Sequence, residues 1–312
     1  MSRSRIVVTG ATGLIGRRLV KTLGESEVTV LSRNVNAARR QVEAHRYVAW
    51  DGVSAIDPKV FEGVDTVFHL AGEPVASGRW TPAKKIRILE SRELGTRAVV
   101  DAMKLSGSTP ALVSASAVGF YGSRGDETLT EASAPGRGFL PEVCQAWETE
   151  AERATRFGCR VAMLRIGIVL AVEGGALAKM LPIFRGALGG RLGSGEQWMP
   201  WIHIDDVVSL FRHAAGADEV AGVLNAVAPT PVTNAEFTET LAHALGRPAL
   251  LPAPSLALRV VLGELADVVL ASQRVLPERP LGSNFAFRHP ELAGAIADLL
   301  ASRSSARHER AA

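Results

Sequence analysis

Val7-Val-Thr-Gly10-Ala-Thr-Gly13-Leu-Ile-Gly16 is the stretch that decides the fold. It joins a short β-branched run, Arg5–Thr9, to a segment of helical apolar spacing, Leu14–Leu23. Each glycine has its own task at such a junction. Gly10 permits the tight turn, Gly13 lets backbone approach a pyrophosphate, and Gly16 lets helix and strand pack closely. The helix N-terminus then faces the negative charge, so Thr12, Leu14 and Ile15 join the glycines as candidate cofactor-binding residues.

Working outward, further runs of strand character follow at Val28–Ser32, Tyr47–Trp50, Thr66–Leu70, Ala111–Ser114, Arg160–Leu164 and Val223–Val227. Helix-sized gaps separate them, with helical patterns at Pro82–Leu105 and Glu142–Arg156. Alternating strands and helices predict an α/β fold, a Rossmann doubly wound parallel sheet with right-handed crossovers. Beyond Val227 a Pro-rich connector leads into helical patterns at Asn234–Leu245, Leu256–Ala271 and Pro290–Leu300. The expected domains are therefore a nucleotide-binding domain over 1–228 and a smaller, mainly helical C-terminal lobe over 229–302. Residues 174–201 are expected to serve the cleft, and 303–312 to form a disordered tail.

Composition narrows the function classes. Of 312 residues, 47% are hydrophobic and 21% charged, which excludes a wholly disordered chain. The net charge of +3 is scattered apart from Arg39-Arg40 and Lys84-Lys85, so no nucleic-acid partner is expected. Apolar stretches such as Val161–Val172 are interrupted by Arg165, so no membrane span, and no membrane partner, is expected either. The start MSRSRIVVTG shows no signal-peptide pattern. The two cysteines, Cys144 and Cys159, suggest neither disulfide nor metal site, and a cytoplasmic setting is the default.

The second strand ends in Ser32-Arg33-Asn34, where a fold preferring NAD carries an acid for the ribose 2′-hydroxyl. Ser32 and Arg33 suit a 2′-phosphate instead, which predicts NADP(H) as cofactor. The fourth strand ends in Phe68-His-Leu-Ala-Gly72. Leu70, Ala71 and Gly72 are small enough to run beside that cofactor, and His69 reads as packed rather than catalytic.

TGATGLIG and HLAG resemble the cofactor motifs of the extended short-chain dehydrogenase/reductase superfamily, with its NAD-dependent epimerase/dehydratase fold. Ser114–Gly122, Gly193–Val207, Gly222–Pro229 and Gln273–Leu292 narrow the resemblance to its "epimerase family protein" subgroup, which carries a short C-terminal domain of unassigned function. The likeness implies that one or both of Arg87 and Arg92 reach cofactor phosphates and that the backbone around Val169 passes the nicotinamide.

The superfamily's catalytic pair is a Tyr with a Lys four residues later. Only Tyr47 and Tyr121 exist, and neither has that Lys. On the helix after the fifth strand, one register puts Cys144 and Glu148 at the pair's positions, and another puts Val143 and Trp147 there. Ser116 and Tyr121 remain as catalytic candidates, Trp201 and His203 as substrate-cleft candidates, and Asp205 as a helix cap. The expected partner is a small-molecule substrate, bound by a monomer or weak homodimer. Two readings stay open: an NADP(H)-dependent oxidoreductase or epimerase acting on a small polar or nucleotide-sugar-like compound, and a non-catalytic NADPH-binding sensor or scaffold.

Overall fold

The computed structural model describes residues 3–309, with side chains to residue 301. A seven-stranded sheet organises the chain in the order β11 (Gly222–Ala226), β7 (Val161–Ile166), β5 (Ala111–Ala117), β4 (Thr66–His69), β1 (Arg5–Thr9), β2 (Glu27–Ser32), β3 (Arg46–Ala49). The pairs from β3 through β5 are all parallel, with Val8 beside Val30 on one side and Phe68 on the other. Strand β1 is buried from Ile6 to Thr9, as a strand covered on both faces must be. Strand order reverses between β1 and β4, which places a ligand crevice at their carboxyl ends.

The chain divides into two compact units. The first comprises Met1–Phe120, Arg137–Arg165 and Val208–Leu224. It carries α1 (Leu14–Lys21), α2 (Val35–Gln41), α3 (Pro82–Ser106) and α4 (Phe139–Glu152). Thr81 caps α3 with Pro82 in its first turn, and Gly107, in the left-handed region at φ 70°, ends it. Its core joins Val7, Val67 and Leu112 of the sheet to Val99 and Met103 of α3.

The second unit comprises Tyr121–Gly136, Ile166–Val207 and Asn225–Ala312. The expected split at residue 228 therefore gives way to an interleaved one, and residues 174–201 fall wholly in the second unit. Short strand pairs bind this unit: β6 (Thr128–Leu129) with β13 (Arg274–Val275), β8 (Ile168–Leu170) with β10 (Trp201–His203), and β9 (Trp198–Met199) with β12 (Val232–Thr233). Its helices are α5 (Gly175–Arg185), α7 (Asn234–Leu245), α8 (Ser255–Leu262), α9 (Leu265–Val269), α10 (Glu278–Gly282) and α11 (Leu292–Glu309), while α6 (Ile204–Gly216) begins in this unit and ends in the first.

Thr233 caps α7 with a full capping box to Glu236. The single helix expected over 256–271 is two, because Gly263 at φ 61° breaks it. Helix α11 occupies 303–309 of the expected disordered tail, and 310–312 lie outside the described residues.

Candidate functional site

The phosphate turn is built from close backbone approaches. Gly10 sits at φ 68°, and a Cβ there would lie 2.5 Å from the Leu70 carbonyl carbon. The ends of β1 and β4 can meet only over a glycine. A Cβ on Gly16 would lie 2.3 Å from the Gly10 carbonyl oxygen, so α1 is drawn onto the strand end. Gly13 differs: a Cβ there would meet only the Gly10 oxygen, at 3.2 Å. Gly13 is also the N-cap of α1, and it offers the first turn no side-chain hydrogen bond and no acid. The opening N–H groups, which have no partner within a helix, suit an anion.

Beneath the turn lies a buried polar bolt. The Thr9 hydroxyl accepts the Ala71 N–H at 3.2 Å and pairs with His69 Nδ1 at 2.7 Å, while His69 Nε2 pairs with the Thr96 hydroxyl at 3.0 Å. Burial, and secondarily the charge of Arg92, pushes the His69 pKa down to about 4. His69 is therefore a neutral brace between β1, β4 and α3, in keeping with its reading as a packed residue.

The rim carries the expected polar groups. The end of β2 holds no carboxylate: the Ser32 hydroxyl accepts the Asn34 N–H, and the Asn34 side chain caps α2. Arg33 is exposed, and its charge helps to lower the Glu73 pKa, although the hydrogen bond from Lys84 acts most strongly. Arg87 approaches the same carboxylate at 3.8 Å. Arg92 donates to the carbonyls of Glu73 and Ile88, and its guanidinium would stand 3.2 Å from a Cβ on Gly72. Leu70, Ala71 and Gly72 thus run between the turn and the arginines of α3. The acid-free β2 end, the open turn and these cations fit a dinucleotide with a 2′-phosphate.

At the end of β5 the position of the expected catalytic pair is resolved. The residues of α4 that face it are Cys144, whose thiol donates to the Ala117 carbonyl at 3.6 Å, and Glu148. Ser116, inside β5 rather than after it, donates to Glu148 Oε1 at 2.6 Å. Arg165 of β7 grips the same carboxylate with two bonds, at 2.8 and 2.7 Å, and stacks 3.3 Å over the Phe120 ring. All three polar side chains are buried. Burial, reinforced by the Glu148 charge, pushes the Cys144 thiol up to about 12, so it stays protonated. Trp147, in the alternative register, lies under Arg92 at 5.0 Å.

The second unit holds the remaining candidates. Tyr121 is fully buried and donates to Asn225 Oδ1 at 2.7 Å; the Asn225 amide continues to the Leu276 carbonyl. Val169 pairs with Ile202 across β8 and β10. Trp201 is 1% exposed and its indole donates to the Thr230 carbonyl, so it is a core residue rather than an open cleft wall. His203 is also buried, and its Nδ1 accepts the Asp205 N–H, which makes His203 rather than Asp205 the cap of α6. The Asp206 carboxylate accepts the N–H groups of Arg288 and His289. This loop stacks His289 on His203, ring centroids 3.8 Å apart. His203, His289 and Asp298 cluster in a way the sequence does not announce. A metal-binding histidine donates through its second nitrogen, whereas His203 accepts there, so the cluster reads as packing.

The NAD dependent epimerase/dehydratase family matches residues 6–226, and a domain of unknown function, DUF1731, matches 253–299. The chain belongs to the NAD-dependent epimerase/dehydratase family. It is 40% identical over 307 residues to the Arabidopsis thaliana chloroplastic homolog of epimerase family protein SDR39U1, covering 95% of this chain and 86% of that one. The crystal structure of human SDR39U1 with NADPH superposes with a TM-score of 0.84 at 34% identity, over 95% of this chain and 98% of that one. A structure named as a nucleoside-diphosphate sugar epimerase from Corynebacterium glutamicum gives 0.77 at 35% identity, over 95% of this chain but 58% of that longer one.

For a member of this epimerase/dehydratase family, the departures are as informative as the matches. Sequence reading missed the Glu73–Lys84 pair, 2.6 Å apart, although Lys84-Lys85 was visible as a basic doublet. It also missed Arg165 as the partner of Glu148. A buried acid at the family's Lys position was the available signal, since buried carboxylates are almost always paired.

Proposed function

We propose that the chain is an NADP(H)-dependent oxidoreductase or epimerase acting on a small polar, nucleotide-sugar-like substrate. The observation that carries this is the open phosphate turn at Gly13 combined with a β2 end that offers Ser32 and Arg33 and no acid. The human relative solved with NADPH and the Corynebacterium relative named as a sugar epimerase support the cofactor and the substrate class respectively.

When bound, the nicotinamide supplies a site for hydride exchange. The chain's own residues do the rest. The N–H groups opening α1 would hold the diphosphate, Arg33 would take the 2′-phosphate, and Arg92 presents a half-buried cation beside Gly72. The Ser116 hydroxyl donates to the Glu148 carboxylate, which Arg165 also holds. Ser116 then offers a ligand only its lone pairs, and so accepts from a hydroxyl or amide.

A second reading, an NADPH-binding protein without turnover, is favoured by the helix after β5, which carries no Tyr with a Lys four residues on and whose Glu148 is tied to Arg165. Titration of NADPH and NADH into wild type and Arg33→Asp tests the cofactor assignment. NADPH should weaken at least ~tenfold more than NADH, the worth of a charged hydrogen bond. Equal losses, or no NADPH binding by the wild type, overturn both readings. Tight NADPH left unoxidised by a panel of carbonyl compounds and nucleotide sugars selects the second.

A further inference from the structure

Most of the large apolar side chains exposed in the second unit sit on two segments, 175–193 and 246–262. Helix α8, Ser255-Leu-Ala-Leu-Arg-Val-Val-Leu262, buries none of its residues. Leu250 is 80% exposed, Leu256 73% and Leu188 62%. The segments form one surface. Leu251 N–H donates to the Gly189 carbonyl, Ala253 N–H to Arg191, and Gly193 N–H to Ala253. Their backbones touch closely enough that a Cβ on Gly190 would lie 2.0 Å from the Leu251 oxygen. An apolar face this concentrated on a folded chain marks an interaction site.

Charge says what covers it. The two segments carry Lys179, Arg185, Arg191, Arg247 and Arg259, all exposed, and no acidic residue; Arg259 is paired with Asp267 of α9 at 2.6 Å, so the excess of positive charge comes from the other four. A second copy of the chain docking by a two-fold axis would set this basic face against itself. The occupant must be apolar within and anionic outside. The exposed Leu250-Leu251 pair is flanked by Pro248 and Pro252, which suits insertion among lipid headgroups. No described helix is long and apolar enough to cross a membrane, so the contact is peripheral.

We infer that this face of the second unit docks on an anionic lipid bilayer, its leucines entering the interface and its arginines pairing with phosphate headgroups. Co-sedimentation with vesicles of phosphatidylcholine, with and without phosphatidylglycerol, tests it. The full chain should sediment with the anionic vesicles, release as salt rises, and bind neutral vesicles weakly. Arg185→Glu with Arg247→Glu should cost about fivefold in partitioning per cation removed. Leu250→Asp with Leu256→Asp should abolish insertion while leaving the melting temperature and NADPH titration unchanged.

Wild-type sedimentation no greater with anionic than with neutral vesicles overturns the proposal. So does binding that survives both double variants although they fold. An oligomer seen by light scattering that the leucine variant dissociates would assign the face to a second copy instead, and a soluble acidic protein as occupant would leave the vesicles unbound.

Discussion

The phosphate turn and the end of β5 lie in the same unit, and they handle polar groups in opposite ways. At the turn, Gly13 leaves the opening N–H groups of α1 without a side-chain cap. At the end of β5, Ser116, Glu148 and Arg165 satisfy one another at 2.6 to 2.8 Å and are buried. An open set of donors waits for a ligand, whereas a closed set holds the protein together. The first arrangement fits the family's cofactor, and the second ties its polar groups to one another. Polar satisfaction, more than residue type, separates a binding site from a brace.

Breaking the closed set should have the largest effect. Glu148→Ala strips the buried Arg165 of its carboxylate and should cost about 3–5 kcal/mol of unfolding free energy by denaturant titration. Glu148→Ala with Arg165→Met should recover most of the loss, since neither charge is then left alone. If the single variant melts like wild type, the cluster is not the brace described.

The bolt under the turn gives the next largest effect. Folded His69 is neutral down to about pH 4, while unfolded histidine takes a proton near 6.5. Above pH 6.5 its contribution to stability is fully present. It falls as pH drops from 6.5 towards 4, by about 3 kcal/mol, because only the unfolded chain gains the proton in that window. His69→Gln should lose this component of the pH slope in denaturant titrations. An NMR titration of His69 with a midpoint near 6.5 would contradict the buried neutral state.

The glycines sharpen the contrast within the turn itself. Gly16→Ala forces a methyl to 2.3 Å from backbone and should destabilise by about 1–3 kcal/mol in thermal unfolding. Gly13→Ala should cost less stability than Gly16→Ala, because its methyl meets a single backbone oxygen at 3.2 Å, yet bind NADPH more weakly by calorimetry. Similar behaviour of the two variants would erase the distinction between a packing glycine and a ligand glycine. The smallest effect is expected from Tyr121→Phe, about 1 kcal/mol for the lost bond to Asn225, with NADPH affinity unchanged.

These contrasts also explain what the sequence made legible. The turn could be read because its rules are local: three glycines at fixed offsets between a strand and a helix. The capping box of Thr233 and Glu236 is local in the same way, and α7 keeps its expected bounds. Arg165 and Glu148 meet across a strand and a helix, and Tyr121 meets Asn225 at a separation of 104 residues. No spacing rule reaches that far. The capping of α6 was misassigned for a subtler reason: Asp205 has the better side chain for the task, but His203 holds the preceding position and its ring nitrogen takes the bond. Likewise Gly263 looked tolerable inside a helix until its positive φ ended α8.

The bond chain from Ala71 through Thr9 and His69 to Thr96 has a consequence for biogenesis. The phosphate turn is encoded within the first sixteen residues, yet Gly10 is held against Leu70, and the brace beneath it needs α3 as far as Thr96. Parallel strands separated by sixty residues close slowly, because a long loop must be ordered before any contact repays it. A ribosome-bound nascent chain therefore exposes residues 7–16 before it can complete the turn, which waits for Leu70 and Thr96 to emerge. Until then the motif is a sequence without a site, and the nascent chain has nothing with which to capture its nucleotide.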